Sequence, residues 1–249
     1  MKKLITLALA AALMLSLTAC GDPAAYDLYL KMNDKQKNIK SLEMQTDAIV
    51  NVEVMGQSVE MNMSGVTKQI IRSETDIDME MSMTTSVMGM DIPTITYFKD
   101  GYLYQDVMGE KIKIAVDLEE AMQMANFAQF SFGKDAIKSS SVTKVDGGSL
   151  LFFELEPEFL RDTLSSMTDS IAQALGSGED MAMTFTQMNY ETLIDDDYMM
   201  QNAVMEFTVE MDLYGEAATM HYVVSMDVTG YNHIDKIDFP DDLDTYVEM

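Results

Sequence analysis

The chain has 249 residues, 47% hydrophobic and 8% aromatic, with 42 acidic side chains against 16 basic ones and a formal net charge of −26. So acidic a surface repels nucleic acid and anionic lipid headgroups, and no run of basic residues offers a phosphate site. The length supports one sizeable core, and with Cys20 as the single cysteine that core must hold the fold without a disulfide.

Residues 1–19 read as a secretory signal. Lys2 and Lys3 precede an apolar run from Leu4 to Leu15 broken only by Thr6, too short and wrongly flanked for a lasting transmembrane helix. The end of this stretch, Leu17-Thr18-Ala19-Cys20, resembles the bacterial lipobox. That resemblance implies diacylglyceryl transfer to the Cys20 thiol, cleavage before Cys20 and acylation of the new amino terminus. Two or more acyl chains, at ~0.8 kcal/mol per buried methylene, give stable anchoring where one does not. The expected product is a single domain over 20–249, held at the outer face of the bacterial cytoplasmic membrane through lipidated Cys20. Its net charge is near −28, because the signal removes two lysines and no acid.

Asp22-Pro23 forms a helix start, and Ala25, Leu28, Tyr29, Met32 and Ile39 keep helical spacing, predicting a helix to about Lys40. From Leu42 to Val54 apolar side chains at even positions alternate with polar ones, the period of a strand with one greasy face. The rule returns at Val59, Met61 and Met63, and again at Ile77, Met79, Met81 and Met83, which makes an antiparallel meander. Met88-Gly89-Met90 reads as a loop, Lys99-Asp100-Gly101 as a hairpin between strands at 92–98 and 102–105, and Lys111 to Val116 as a short strand. A helix is predicted over 118–130, strands at 136–144 and 150–156 around Asp146-Gly147-Gly148, and a helix from Pro157 to Leu175. The last third returns to long alternating strands over 183–194, 203–213 and, across Gly215-Glu216, 218–228. Both halves thus read as a helix followed by alternating strands, a hint of internal duplication.

The expected class is α+β: a strongly curved antiparallel sheet of about ten strands, an open half-barrel, with about three covering helices. Lipobox, helix, one-faced meander and helices between strand blocks together resemble the LolA-like superfamily, which includes the mycobacterial LppX and LprG type lipoproteins, and a group of Gram-positive lipoproteins. The resemblance covers nearly the whole mature chain. It implies an open barrel with a hydrophobic cavity for acyl chains. High methionine and absent tryptophan depart from that pattern, so no ligand and no binding residue is carried over.

Methionine, 26 of 249, is the anomaly, and many lie in M-x-M pairs that share one face of a strand. Three readings stay open: core filler in place of leucine, an adaptable pocket built from unbranched thioethers, and a soft-metal site for Cu(I) or an oxidant buffer. The candidate cavity residues are Met44, Val52, Met61, Met63, Met79, Met81, Met83, Met205, Phe207, Met211, Met220, Tyr222 and Met226. His221 falls on a polar face and His233 in the tail, neither inside a motif. Asp195-Asp196-Asp197 and the terminal acids Asp238, Asp241, Asp242 and Asp244 lack the spaced pattern of a calcium loop and read as turn chemistry. No nucleophile elbow, zinc-protease helix or phosphate loop occurs. The expectation is a monomeric, non-enzymatic lipoprotein without cofactor or metal, either carrying a hydrophobic ligand or acting as an interaction module with a filled core.

Overall fold

The computed structural model describes residues 23–73, 76–116, 131–159, 183–213 and 216–248. They form one helix, α1 (Pro23–Gln36), and twelve strands: β1 (Ser41–Val54), β2 (Gln57–Ser73), β3 (Asp76–Val87), β4 (Met90–Lys99), β5 (Tyr102–Val107), β6 (Glu110–Ala115), β7 (Ile137–Val145), β8 (Gly148–Leu155), β9 (Met183–Asp195), β10 (Met200–Leu213), β11 (Glu216–Tyr231) and β12 (Val247–Glu248). All twelve belong to one open sheet in the order β12-β6-β5-β4-β3-β2-β1-β11-β10-β9-β8-β7. Each half of the chain lays its strands down consecutively, and β1 pairs with β11 to join the halves.

The α+β class and open antiparallel sheet match the expectation; the counts do not. The described residues form twelve strands rather than about ten. The predicted helices over 118–130 and 157–175 lie outside the described residues, except that Pro157–Phe159 are helical. Helix α1 stops at Gln36 rather than Lys40. Asn38 N–H and Ile39 N–H bond back to Lys35 and Gln36 carbonyls, tightening the last turn. Asn232 Oδ1 then accepts the Lys40 and Ser41 N–H groups at 2.7 and 3.3 Å, turning the chain into β1.

Directly paired residues share a face of a sheet, so the register traces one continuous inner face. Met44, Ala48 and Val50 of β1 lie opposite Val228, Val224 and Tyr222 of β11 and opposite Thr67, Met63 and Met61 of β2. On the β8–β11 side this face is packed solid. Tyr29 and Met32 of α1 press onto Phe153 and Tyr190, and Met188, Ala203, Met205, Phe207 and Met226 are all at most 2% exposed. A smaller core of Ile77, Met79, Phe98 and Leu103 closes the other flank.

The outer face is covered on that second flank by the C-terminal segment, which sequence alone did not reveal. Ile234 N–H bonds to Ser41 Oγ, Phe239 meets the Tyr97 ring edge-on at 5.9 Å, and Tyr246 meets Tyr104 at 5.5 Å. Lys111 pairs with Asp242, and Val247–Glu248 add a parallel strand to β6. Two of the terminal acids therefore pair with lysines, Asp242 with Lys111 and Asp238 with Lys236. On the outer face of the other flank, Glu191 sits half-buried between Val204 and Phe152. Burial raises its carboxyl above the usual carboxylate range. Its folded pKa thus exceeds its unfolded one, so its ionised form opposes folding at neutral pH and this opposition fades as pH falls through the folded pKa. We expect Glu191→Gln to raise the melting temperature at pH 7, with the gain shrinking on acidification, as thermal scans across pH would read.

Candidate functional site

All thirteen candidate cavity residues fall on the inner face by register. Met61 and Met63 pair with Val50 and Ala48, Met79, Met81 and Met83 with Gln69, Thr67 and Gly65, and Met205, Phe207 and Met211 with Val224, Tyr222 and Ala218. Met220, Tyr222 and Met226 face Val52, Val50 and Thr46.

Their burial divides them into two groups. Met44, Met79, Met205, Phe207, Met211, Met220 and Met226 are buried. Val52, Met61, Met63, Met81, Met83 and Tyr222 are half-buried. The second group is contiguous across β11, β1, β2 and β3, beside the solid core under α1. Met81 and Met83 continue onto Thr96 and Thr94 of β4. Methionine therefore fills the core under α1 and, as Met79, the smaller core at β3–β5, and between them lines a half-buried surface. Tyr222 marks the border: its ring stacks on Phe207 at 4.5 Å and its hydroxyl lies 3.3 Å from Met220 Sδ.

Polar groups enter this inner face at two places that sequence reading passed over. Gln69 lies in the row Leu42–Gln69–Met79–Phe98, and Thr96 in the next row, Met44–Thr67–Met81–Thr96. They are 1% and 2% exposed, yet the Gln69 amide nitrogen and oxygen and the Thr96 hydroxyl have no protein hydrogen-bond partner. A buried unsatisfied polar group costs about 1–3 kcal/mol, so two of them beside the methionines are a feature to be accounted for. The signal was present as a break in alternation, since Gly65, Thr67 and Gln69 occupy positions where the neighbouring strands place Met83, Met81 and Met79.

The histidines lie elsewhere. His221 Nε2 is 3.0 Å from Glu206 on the outer face, and His233 is 3.3 Å from Glu43. Asp195 closes its turn by accepting N–H groups from Asp197 and Met199 at 2.9 and 2.8 Å, which is turn chemistry. Among the described residues no group of three or more His, Cys, Asp or Glu is placed to hold a metal ion, and no helix is long and apolar enough to cross a membrane. Cys20 precedes the described residues.

The model of a family of unknown function, DUF6612, matches residues 24–245. The chain belongs to this family. No curated protein matches it. Among solved structures, the DUF6612 chain is similar to LprF from Mycobacterium bovis, with 10% identity and a TM-score of 0.42 over 88% of this chain and 98% of that one. It is also similar to a putative outer membrane lipoprotein-sorting protein domain from Vibrio parahaemolyticus, with 9% identity and a TM-score of 0.26 over 89% and 97% of the two chains. A DUF1329 family protein from Desulfovibrio piger matches at 10% identity and a TM-score of 0.27, over 86% and 94%. At such scores the function of this DUF6612 protein has to be argued from its own residues.

Proposed function

We propose that this DUF6612 protein is a lipid-anchored carrier or sensor that holds a hydrophobic, acyl-chain-bearing ligand against the methionines of its inner face. The observation that carries this reading is the half-burial of Met61, Met63, Met81 and Met83 on an inner face whose other flank is packed solid. Thioether side chains are unbranched and polarizable, so they repack around chains of varied shape. Gln69 and Thr96 are sealed beneath Met79 and Met81 and become a polar end for the ligand once the methionines repack around it: the amide offers donor and acceptor, the hydroxyl both. Neither is charged, which suits an ester, amide or hydroxyl better than a bare carboxylate. The role is binding rather than catalysis, and the membrane attachment is the lipidated Cys20 read from the lipobox.

Native mass spectrometry of the purified mature chain, followed by organic extraction, tests the reading. A co-purifying acyl lipid is expected, together with uptake of added diacylglycerol or phospholipid. The triple variant Met63→Gln/Met81→Gln/Met83→Gln should weaken that uptake at least tenfold, about 1.4 kcal/mol in binding, while remaining folded because these positions are only half-buried. A chain that is lipid-free on isolation and ignores every added lipid would sink the proposal and leave an interaction module with a filled core.

A further inference from the structure

Three hairpins, β1–β2, β3–β4 and β5–β6, turn through the same dipeptide: Met55-Gly56, Met88-Gly89 and Met108-Gly109. In each, both central residues have positive φ, 54° and 72°, 51° and 81°, 53° and 93° respectively. That is the two-residue hairpin geometry normally filled by Asn-Gly or Asp-Gly, because a side chain at the first position is strained in the left-handed region. The chain follows that preference at its other end, where β4–β5 turns through Asp100-Gly101, with φ 51° and 79°. Alternation of strand direction puts all three Met-Gly turns at one end of the sheet. Asp100-Gly101, Asp146-Gly147 and the Asp195–Asp197 turn lie at the opposite end.

The three methionines are also the most solvent-exposed large apolar side chains described, at 71%, 82% and 71%. Successive tips are two strands apart, so they form a row about 20 Å long with about 10 Å between neighbours. A sequence that breaks the local turn rule three times, always with the same greasy residue and always at the same end, spends stability on something other than folding.

Helix α1 says which way this end faces. Tyr29 packs on Tyr190 with ring centroids 6.4 Å apart, and Met32 Sδ lies 3.9 Å from Thr192 Oγ1, nearer the Asp195 turn. The helix thus runs from the Met-Gly end of the sheet towards the acidic end, and Pro23 lies at the Met-Gly end over the β7–β9 flank. Only Gly21 and Asp22 separate Pro23 from Cys20. A lipid attached there is on a leash too short to hold the domain far from the bilayer.

We infer that the Met55, Met88 and Met108 tips are a membrane-contact edge that dips into the lipid surface and sets the β1–β6 flank against it. This rests on the anchored reading of Cys20. The contact is made by uncharged side chains, and exposed acids stand behind the tips at Glu53, Glu60, Asp91 and Glu110. The matching surface is therefore zwitterionic lipid, and anionic lipid is repelled. The edge belongs to the same flank as the half-buried methionines, so contact brings the proposed ligand face to the bilayer.

The test uses the lipidated chain in phosphatidylcholine vesicles. Acylation consumes the Cys20 thiol, so Met55→Cys, Met88→Cys and Met108→Cys each offer one site for an environment-sensitive fluorophore, with Asp146→Cys as the far-end control. Brominated phosphatidylcholine is expected to quench the three tip labels at least threefold more than the control. Replacing the other two tips, as in Met55→Asn/Met108→Asn with the label at residue 88, should at least halve that quenching, whereas proximity due to the tether alone would leave it unchanged. Unquenched tips on a chain that floats with the vesicles overturn the inference alone, as does quenching that survives the asparagines. A chain that fails to float overturns the anchor and this inference with it, leaving ligand uptake as a separate question.

Discussion

Phe153→Ala lowers the unfolding free energy by about 3–5 kcal/mol, the range for emptying a fully buried aromatic site. Phe153 is 0% exposed and is the hub of an aromatic cluster. Its ring stands edge-on to Tyr29 at 5.6 Å and to Phe132 at 5.1 Å, and lies nearly parallel to Tyr190 at 6.4 Å. Tyr29 in turn stacks on Phe132 at 4.3 Å, and its hydroxyl accepts the Phe132 N–H at 3.1 Å. Burial raises the pKa of that hydroxyl, so it stays neutral throughout the useful pH range. These rings join α1 and the segment before β7 to the sheet, so removing the hub loosens both partners as well as leaving a void. Urea titration should give a lower midpoint, with amide exchange rising first in α1. Ile49→Ala, a change at an outer-face residue 42% exposed, is the control and should shift stability by no more than about 0.5 kcal/mol. An equal loss in the two variants would mean that α1 is not docked through this cluster.

Much of this architecture was legible in the alternation of side chains. Leu42 to Val54, 203–213 and 218–228 each carry an apolar face, broken only at Thr46, and each proved to lie in a strand with that face inward. The turns at Met88-Gly89, Asp100-Gly101 and Asp146-Gly147 were legible too, since glycine after a strand marks positive φ. What escaped is physically coherent. The second half of β2 reads Gly65-Val66-Thr67-Lys68-Gln69-Ile70-Ile71, with Gly65, Thr67 and Gln69 inward and Val66 and Ile70 outward. Periodicity there points to the wrong face, because the outer side is not solvent: Ile70 is 7% exposed, and Ser41, its β1 partner, takes a hydrogen bond from the Ile234 N–H of the C-terminal segment. The C-terminal segment between β11 and β12, which crosses the sheet mainly by side-chain contacts, leaves no periodic signature of its own. Alternation puts the inner methionines in one set, but a strand pattern cannot distinguish a buried position from a half-covered one on the same face. That distinction depends on where α1 and Phe132 sit, which is long-range information.

Gly65→Ala is expected to cost about 3 kcal/mol, at or beyond the upper end of the usual overpacking penalty. Gly65 occupies an inner-face position of β2, directly opposite Met83 of β3 and Thr46 of β1. A β-carbon built there would lie inside contact distance of the Ser82 carbonyl oxygen, and would also meet Met83 Sδ and Met83 Cα. Met83 Sδ can swing away, because it ends a flexible side chain. The Ser82 carbonyl and Met83 Cα cannot move without disturbing the β2–β3 ladder. A glycine within a strand commonly marks such close backbone approach, and here φ is not in the left-handed region, so the demand is for space rather than for unusual dihedrals. The consequence reaches the proposed site, since a displaced β3 carries Met81 and Met83 with it. We therefore expect weakened lipid uptake in whatever fraction of Gly65→Ala remains folded. The double variant Gly65→Ala/Met83→Ala separates the two collisions. Recovery of only a minor part of the lost stability would place the strain in the backbone, whereas full recovery would mean that the glycine serves only to seat the methionine.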